Sequence, residues 1–307
     1  MQYFSYIIAA FCTLILTVVF IPVAMKLAGF IGAVDNPGDI KIHRAPIPRF
    51  GGFAVLCSFS IVGTVFLLNS GMSFDSVDIL LSAGFLGIFL LGAVDDIIDV
   101  NAYLKFLFQI IFTGLTAIGL GALYAPAGFI LLFVFIFILG YTNAFNFIDG
   151  VDGLASGIAF FNAFGLLVVA LFEQQWIIAF TSAAILGATA GFLLFNFNPA
   201  KIFLGDSGST LFGFIIAVLM MALWLNAEQK AVLLPLLIIA GLPVFDMLYV
   251  IAKRIKNGRS VFSGDRGHTY DIIIQKGYSV RQTVIFYYAM SLCLSTIGVI
   301  LFNLLSV

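Results

Sequence analysis

Long apolar runs separated by short polar stretches rich in glycine, proline and aspartate set the pattern of this chain. The runs lie near 3–25, 51–70, 77–94, 104–123, 128–147, 153–172, 176–196, 208–226, 231–252 and 283–305. A helix needs about 20 mainly apolar residues to cross a bilayer. The pattern therefore predicts an all-α, polytopic transmembrane bundle of about ten spans. The stretch 106–148 carries no charge and is too long for one span, and Leu123-Tyr124-Ala125-Pro126-Ala127-Gly128 supplies its reversal. The ninth run contains Pro235, Gly241 and Pro243, which predict a broken or kinked helix. With no soluble appendage or internal repeat in view, residues 1–307 read as one integral-membrane domain.

Composition agrees with the pattern. Hydrophobic residues make up 62% of the chain and charged residues 9%, with a mean hydropathy of +1.16. Soluble domains carry about 25% charged residues, which excludes that class here. Cys12, Cys57 and Cys293 all sit inside apolar runs, so neither a disulfide framework nor a thiolate metal cluster is expected. The start, Met1-Gln2-Tyr3-Phe4, lacks a basic stretch, so the first run reads as a retained span.

Charge adds direction. With both termini outside, the inner loops are near 26–50, 95–103, 148–152, 197–207 and 253–282, and they or their edges hold every lysine and arginine except Lys230. The positive-inside rule makes that face cytoplasmic. Asp35, Asp39, Asp95, Asp96, Asp99, Asp149, Asp152, Asp206, Asp265 and Asp271 lie on the same face, where no glutamate is found. Acids near membrane depth are costly and mark function; short aspartates suit cation ligation. Asp246 alone falls well inside a span.

Three constellations stand out. Asp95, Asp96 and Asp99 end the third span at i, i+1 and i+4, and such crowded negative charge calls for a cation. Asn143, Asn146, Asp149 and Asp152 recur every third position on a helix leaving the membrane, with Gly150 and Gly153 allowing close ligand approach. Interhelical hydrogen bonding accounts for the asparagines but not for the aspartates. In the loop from Asn196 to Ser209, Asp206 reads as a metal ligand, whereas Ser207 and Ser209 serve equally as helix caps or ligand contacts. Lys41, His43, Arg44 and Arg49 form a basic cluster before the second span, and the last inner loop carries Arg266 and His268. Such cations suit anionic phosphate. No Ser-His-Asp order, Walker loop or CxxC pair is present.

Taken in order from Asp35-Asn36-Pro37 to Asp271, these motifs resemble the polyprenyl-phosphate N-acetylhexosamine-1-phosphate transferases, a family that initiates bacterial cell-wall and surface-polysaccharide synthesis. The resemblance implies transfer of a sugar-1-phosphate from a UDP-N-acetylhexosamine to undecaprenyl phosphate, with release of UMP. It implies Mg²⁺ as cofactor, or Mn²⁺ in its place. It also implies an active site on the cytoplasmic face of a multi-pass inner-membrane protein. Asp95 and Asp96 match the catalytic pair, with His268 added from the last loop, and Asp206, joined by Asp96, matches the metal ligands. Asp149, Asp152 and Asn146 match the nucleotide-side motif, Asn196 and Phe203 the residues that hold the uridine, and Arg266 a donor contact. Lys41 and Arg49 are assigned to the lipid phosphate, and Asp246 is placed near the site. Members using UDP-GlcNAc commonly carry His-x-His-His where this chain has His268-Thr269-Tyr270-Asp271. The His-x-Tyr form is more similar to the branch handling other N-acetylated sugars, which leaves the sugar open. A homodimer is compatible with the family, and nucleic acid is not expected as a partner. The rival readings are an intramembrane aspartate-rich prenyltransferase and a secondary transporter built around Asp246 and the broken ninth span.

Overall fold

The computed structural model describes residues 2–37, 45–71, 75–227, 230–262 and 267–305. Twelve α-helices are present among them: α1 Gln2–Ile31, α2 Gly51–Ser70, α3 Ser76–Ile98, α4 Ala102–Tyr124, α5 Gly128–Ile148, α6 Leu154–Phe172, α7 Trp176–Asn196, α8 Gly205–Asn226, α9 Leu233–Ile239, α10 Gly241–Lys256, α11 Thr269–Gln275 and α12 Val280–Leu305. Nine of these are long and apolar enough to cross a membrane. The pair α9 and α10, bent by 68°, makes a tenth when counted as one broken span. The expected break in the ninth run falls at Ala240, where α9 stops and α10 begins.

The bundle is organised around α8. Its span is 89% buried, against 28% for α1 and α12, and it packs on α3 and α5 with α2 alongside. Tyr141 and Phe145 of α5, Phe192 of α7 and Phe212 of α8 are fully enclosed. In contrast, α1 leaves Phe4, Ile7, Phe11 and Phe30 exposed, as a lipid-facing helix does. Some buried polar side chains meet one another across helices, because hydrocarbon offers no alternative partner. Thus Asn162 of α6 donates to Tyr141 of α5 at 2.6 Å and accepts from Ser291 of α12 at 3.4 Å.

Helix ends near the polar face differ from the sequence expectation in ways that matter. α3 runs on to Ile98, so Asp95 and Asp96 lie within its last turn. Asp99, which the i, i+4 spacing sets on the face of Asp95 in a continuing helix, is instead the C-cap in a left-handed conformation (φ 48°), and its side chain is 90% exposed. α8 starts at Gly205 and not at 208, which moves Asp206 from a loop into the first helical turn. α5 stops at Ile148, so Asp149 is its C-cap and Asp152 sits in the turn leading to α6. Two elements were not anticipated: α11, and a small antiparallel pair, β1 Val34–Asp35 with β2 Ile47–Pro48. Beside β2, Phe203 N–H donates to Pro48 O at 2.8 Å and Gly51 N–H to Phe203 O at 3.0 Å, tying the segment before α2 to the approach of α8.

Candidate active site

A cavity of about 540 Å³ opens at the polar end of the bundle. Its wall includes Arg49, Asp149, Asp152, Asn196, Phe203, Asp206 and His268, seven of the expected residues drawn from distant parts of the chain. Pockets of roughly 300–1,000 Å³ with a few convergent polar groups are the usual size for a small-molecule site. Asp35, Tyr270 and Asp271 add further lining that the reading of individual motifs did not single out. Asp95, Asp96 and Asn146 lie off this wall, while Lys41 and Arg266 fall outside the described residues.

Asp96 has a well-defined position. Its side chain is completely buried, and both oxygens are saturated. Oδ1 accepts from Asp206 N–H at 2.7 Å and from Arg49 Nε at 3.3 Å. Oδ2 accepts from Ser207 N–H at 3.1 Å and from the Ser207 hydroxyl at 2.6 Å. The N-terminal turn of α8 has no side-chain cap of its own from Leu204. Its orphan N–H groups are satisfied across the structure by a carboxylate from α3, which also offsets the positive helix end. Asp96 thereby sets the position of Asp206. Of the two readings of Ser207 and Ser209, the helix cap is not what they form: both are inside α8, and Ser209 Oγ accepts from Asn146 Nδ2 at 3.1 Å.

Close approach makes that contact feasible. A Cβ on Gly92 of α3 would lie 2.6 Å from the Asp206 carbonyl, so only glycine lets α3 and α8 meet there. Gly205 has φ +73°, and a Cβ on it would stand 2.5 Å from Asp96 Oδ2.

Two cations knit the aspartates together. Arg49 lies 3.3 Å from Asp96, 3.6 Å from Asp99 and 3.9 Å from Asp206. Lys105, one turn into α4, pairs with Asp95 Oδ2 at 3.0 Å and also with Asp206 Oδ2. Lys105 was seen in the sequence only as an edge charge. The signal was available: α3 and α4 form a tight helical hairpin, and a residue ten positions after Asp95 returns to the same depth. The other Asp95 oxygen accepts from Val100 N–H at 2.7 Å.

Among the described residues no three His, Cys, Asp or Glu side chains form a ready metal cage. Asp95 and Asp206 nonetheless direct carboxylate oxygens at one cation, the Lys105 ammonium. Two convergent carboxylates fit an oxygen-preferring divalent ion that completes its shell with phosphate and water. Asp96, with its acceptors consumed by α8, fits such an ion less well than Asp95 does.

The nucleotide-side motif is partly structural. Asp152 Oδ2 accepts from Asn198 Nδ2 at 2.9 Å and from Ala200 N–H at 3.0 Å, so it holds the loop between α7 and α8. The Asn196 amide accepts from Gly153 N–H and Ser156 Oγ and donates to Ile202 O at 2.9 Å, securing the start of α6 against that loop. Asp149 is the acid of this motif without such partners. Burial, then the neighbouring Asp96 carboxylate, push it up to about 7; Arg49 opposes this and Asp152 adds to it. An aspartate whose folded value exceeds its unfolded 3.8 favours the fold most when protonated, and that contribution is lost as pH rises through about 7. Asp149→Asn is therefore expected to unfold at the same temperature as the wild type near pH 4 and at a higher one above pH 7, as followed by thermal unfolding across pH. Equal midpoints at alkaline pH would show that Asp149 is not held in this way.

The chain is similar over residues 78–224 to glycosyl transferase family 4. It is 33% identical to a protein of Bacillus subtilis (strain 168) named as a probable undecaprenyl-phosphate N-acetylglucosaminyl 1-phosphate transferase, over 96% of this chain and 85% of that one. It is also 33% identical to the decaprenyl-phosphate N-acetylglucosaminephosphotransferase of Mycobacterium tuberculosis (strain H37Rv), over 87% of this chain and 75% of the relative. The undecaprenyl-phosphate alpha-N-acetylglucosaminyl 1-phosphate transferase of Escherichia coli (strain K12) is 27% identical over 92% of this chain and 80% of its own length. The apolar helices and these bacterial relatives make this a multi-pass inner-membrane protein. With its aspartate, cation and histidine positions gathered at one end of that membrane bundle, the chain belongs to glycosyl transferase family 4, among the polyprenyl-phosphate N-acetylhexosamine-1-phosphate transferases.

Proposed function

We propose that this protein transfers an N-acetylhexosamine-1-phosphate from a UDP-sugar to undecaprenyl phosphate at the cytoplasmic face, releasing UMP. The observation that carries this reading is the single cavity in which Asp206, Arg49, Asp149 and His268 converge, joined through Lys105 and Arg49 to Asp95 and Asp96. Within that class the N-acetylglucosaminyl relatives favour UDP-GlcNAc as donor. Loop residues with a His-x-Tyr pattern leave room for a different N-acetylated sugar.

In this reading an oxygen of the lipid phosphate attacks the β-phosphorus of the donor, and the bond from that phosphorus to the UMP oxygen breaks. Arg49 and Lys105 supply fixed positive charge where the two phosphates meet. Asp206 and Asp95 would hold Mg²⁺, which when bound offsets charge on the diphosphate and on departing UMP. Asp95 accepts the proton of the lipid phosphate. Direct attack by the lipid phosphate needs no aspartyl intermediate on the enzyme. Asp96 works one step back, by placing Asp206.

A panel of UDP-N-acetylhexosamines, assayed with purified protein, undecaprenyl phosphate and Mg²⁺, tests the proposal. UMP release that depends on both the lipid and Mg²⁺ is the expected result. Folded protein that turns over none of the panel would sink it. Incorporation of a prenyl group from a lipid diphosphate would instead support the prenyltransferase reading. The transporter reading fares less well on geometry, since the oxygens of Asp246 are taken up by hydrogen bonds within the protein.

A further inference from the structure

Asp246 is fully buried on α10, just past the 68° break in the ninth span. A buried carboxylate needs compensation, and here three donors converge on it. His268 Nδ1 is 2.8 Å from Oδ2, while Oδ1 accepts from Thr269 N–H at 2.8 Å and from the Thr269 hydroxyl at 2.5 Å. Because the Thr269 hydroxyl gives its proton to Asp246, its oxygen accepts from Tyr287 OH of α12, 2.5 Å away. The chain of donors ends on the carboxylate; with Oδ2 also an acceptor, His268 Nδ1 is the donor.

The ring is held on its other sides too. It stacks on Tyr270 at 4.9 Å and meets Phe147 of α5 edge-on at 5.8 Å. The backbone N–H of His268 donates to Asp271 Oδ2 at 3.2 Å, closing the start of α11. His268 lines the cavity that also holds Asp206. With Nδ1 committed to Asp246, Nε2 is the nitrogen left to serve that cavity.

We infer that Asp246 is a positioning residue, which fixes His268 in the Nδ1–H tautomer so that Nε2 meets the donor substrate. The bend between α9 and α10 is what carries Asp246 into reach of the loop before α11. The catalytic consequence rests on the function proposed above; the tautomer does not. Asn at 246 would reverse the pattern. Its single acceptor oxygen would keep the two Thr269 donors, and its N–H₂ would face Nδ1, forcing the proton to Nε2.

The test is ¹⁵N NMR of the full-length protein labelled at histidine, with the signal of His43, the one other histidine, removed by His43→Ala. His268 is expected to carry its neutral-state proton on Nδ1 in the otherwise wild-type protein and on Nε2 in Asp246→Asn, with Asp246→Glu restoring the first pattern. Turnover of UDP-GlcNAc should fall in kcat by roughly 10²-fold or more in Asp246→Asn, with KM little changed. Combining it with His268→Ala should give no further loss than His268→Ala alone. A wild-type His268 protonated on Nε2 overturns the proposal, even if every variant misfolds or no donor is turned over. So does a tautomer unmoved in folded Asp246→Asn, or losses that multiply in the double variant.

Discussion

Replacing Asp206 by asparagine is expected to lower Mg²⁺-supported UMP release from UDP-GlcNAc and undecaprenyl phosphate by about 10²–10³-fold, the usual consequence of losing one preorganised electrostatic group. The fold should tolerate the change. The Asp206 side chain is 21% exposed, and its contact with Arg49 is a loose 3.9 Å. Its closer partner, Lys105, keeps Asp95. Helix α8 is anchored by the backbone N–H of residue 206, which the substitution leaves in place. The thermal unfolding midpoint should therefore stay near that of the wild type, and a titration with Mg²⁺ should show weaker dependence on the ion. Undiminished turnover would remove Asp206 from the metal site, and with it the main support for the proposed chemistry.

Asp96→Asn should fail differently. The carboxylate receives two backbone N–H groups, a hydroxyl and the Arg49 Nε, so no oxygen is spare. An amide nitrogen in place of either oxygen meets donors, leaving part of the first turn of α8 without a partner. An unsatisfied buried donor costs about 1–3 kcal/mol, and the charge that offsets the helix end is lost as well. Activity is expected to drop at least as far as in Asp206→Asn, now with a lower unfolding midpoint. Raising Mg²⁺ should not restore it. A variant with wild-type stability whose turnover recovers at high Mg²⁺ would identify Asp96 as a metal ligand and overturn its assignment as the cap of α8.

The adjacent aspartates show how far reading along the chain reaches. Spacing on a helix put Asp95 and Asp96 at a crowded membrane edge and called for a compensating cation. That much holds, and Arg49 and Lys105 supply it. Spacing could not divide their roles, because the divider is α8, more than a hundred residues away. His268 is similar. The resemblance assigns it to the catalytic group and places Asp246 near the site with no partner named. Packing of α10 against the last loop turned the two into one unit. Asn196 and Asp152 went the other way: expected at the nucleotide, they spend hydrogen bonds on the loop between α7 and α8 and, for Asn196, on the start of α6, while still lining the cavity.

What could be read directly were the properties set locally by the solvent. Hydrocarbon demands about 20 apolar residues per crossing and an internal partner for every backbone polar group, so the spans, the break near Pro235 to Pro243 and the gathering of aspartates at one end were all visible in a single pass. Helix starts and stops were less so, because at α8 the cap is borrowed from α3, and the helix could begin three residues earlier than its own side chains indicated. Apart from Lys105 with Asp95, the pairing of charges belonged to the tertiary structure. Which oxygen meets which ammonium depends on how close two helices come, and at Gly92 and Gly205 that distance is decided by an absent Cβ whose neighbours lie far along the chain.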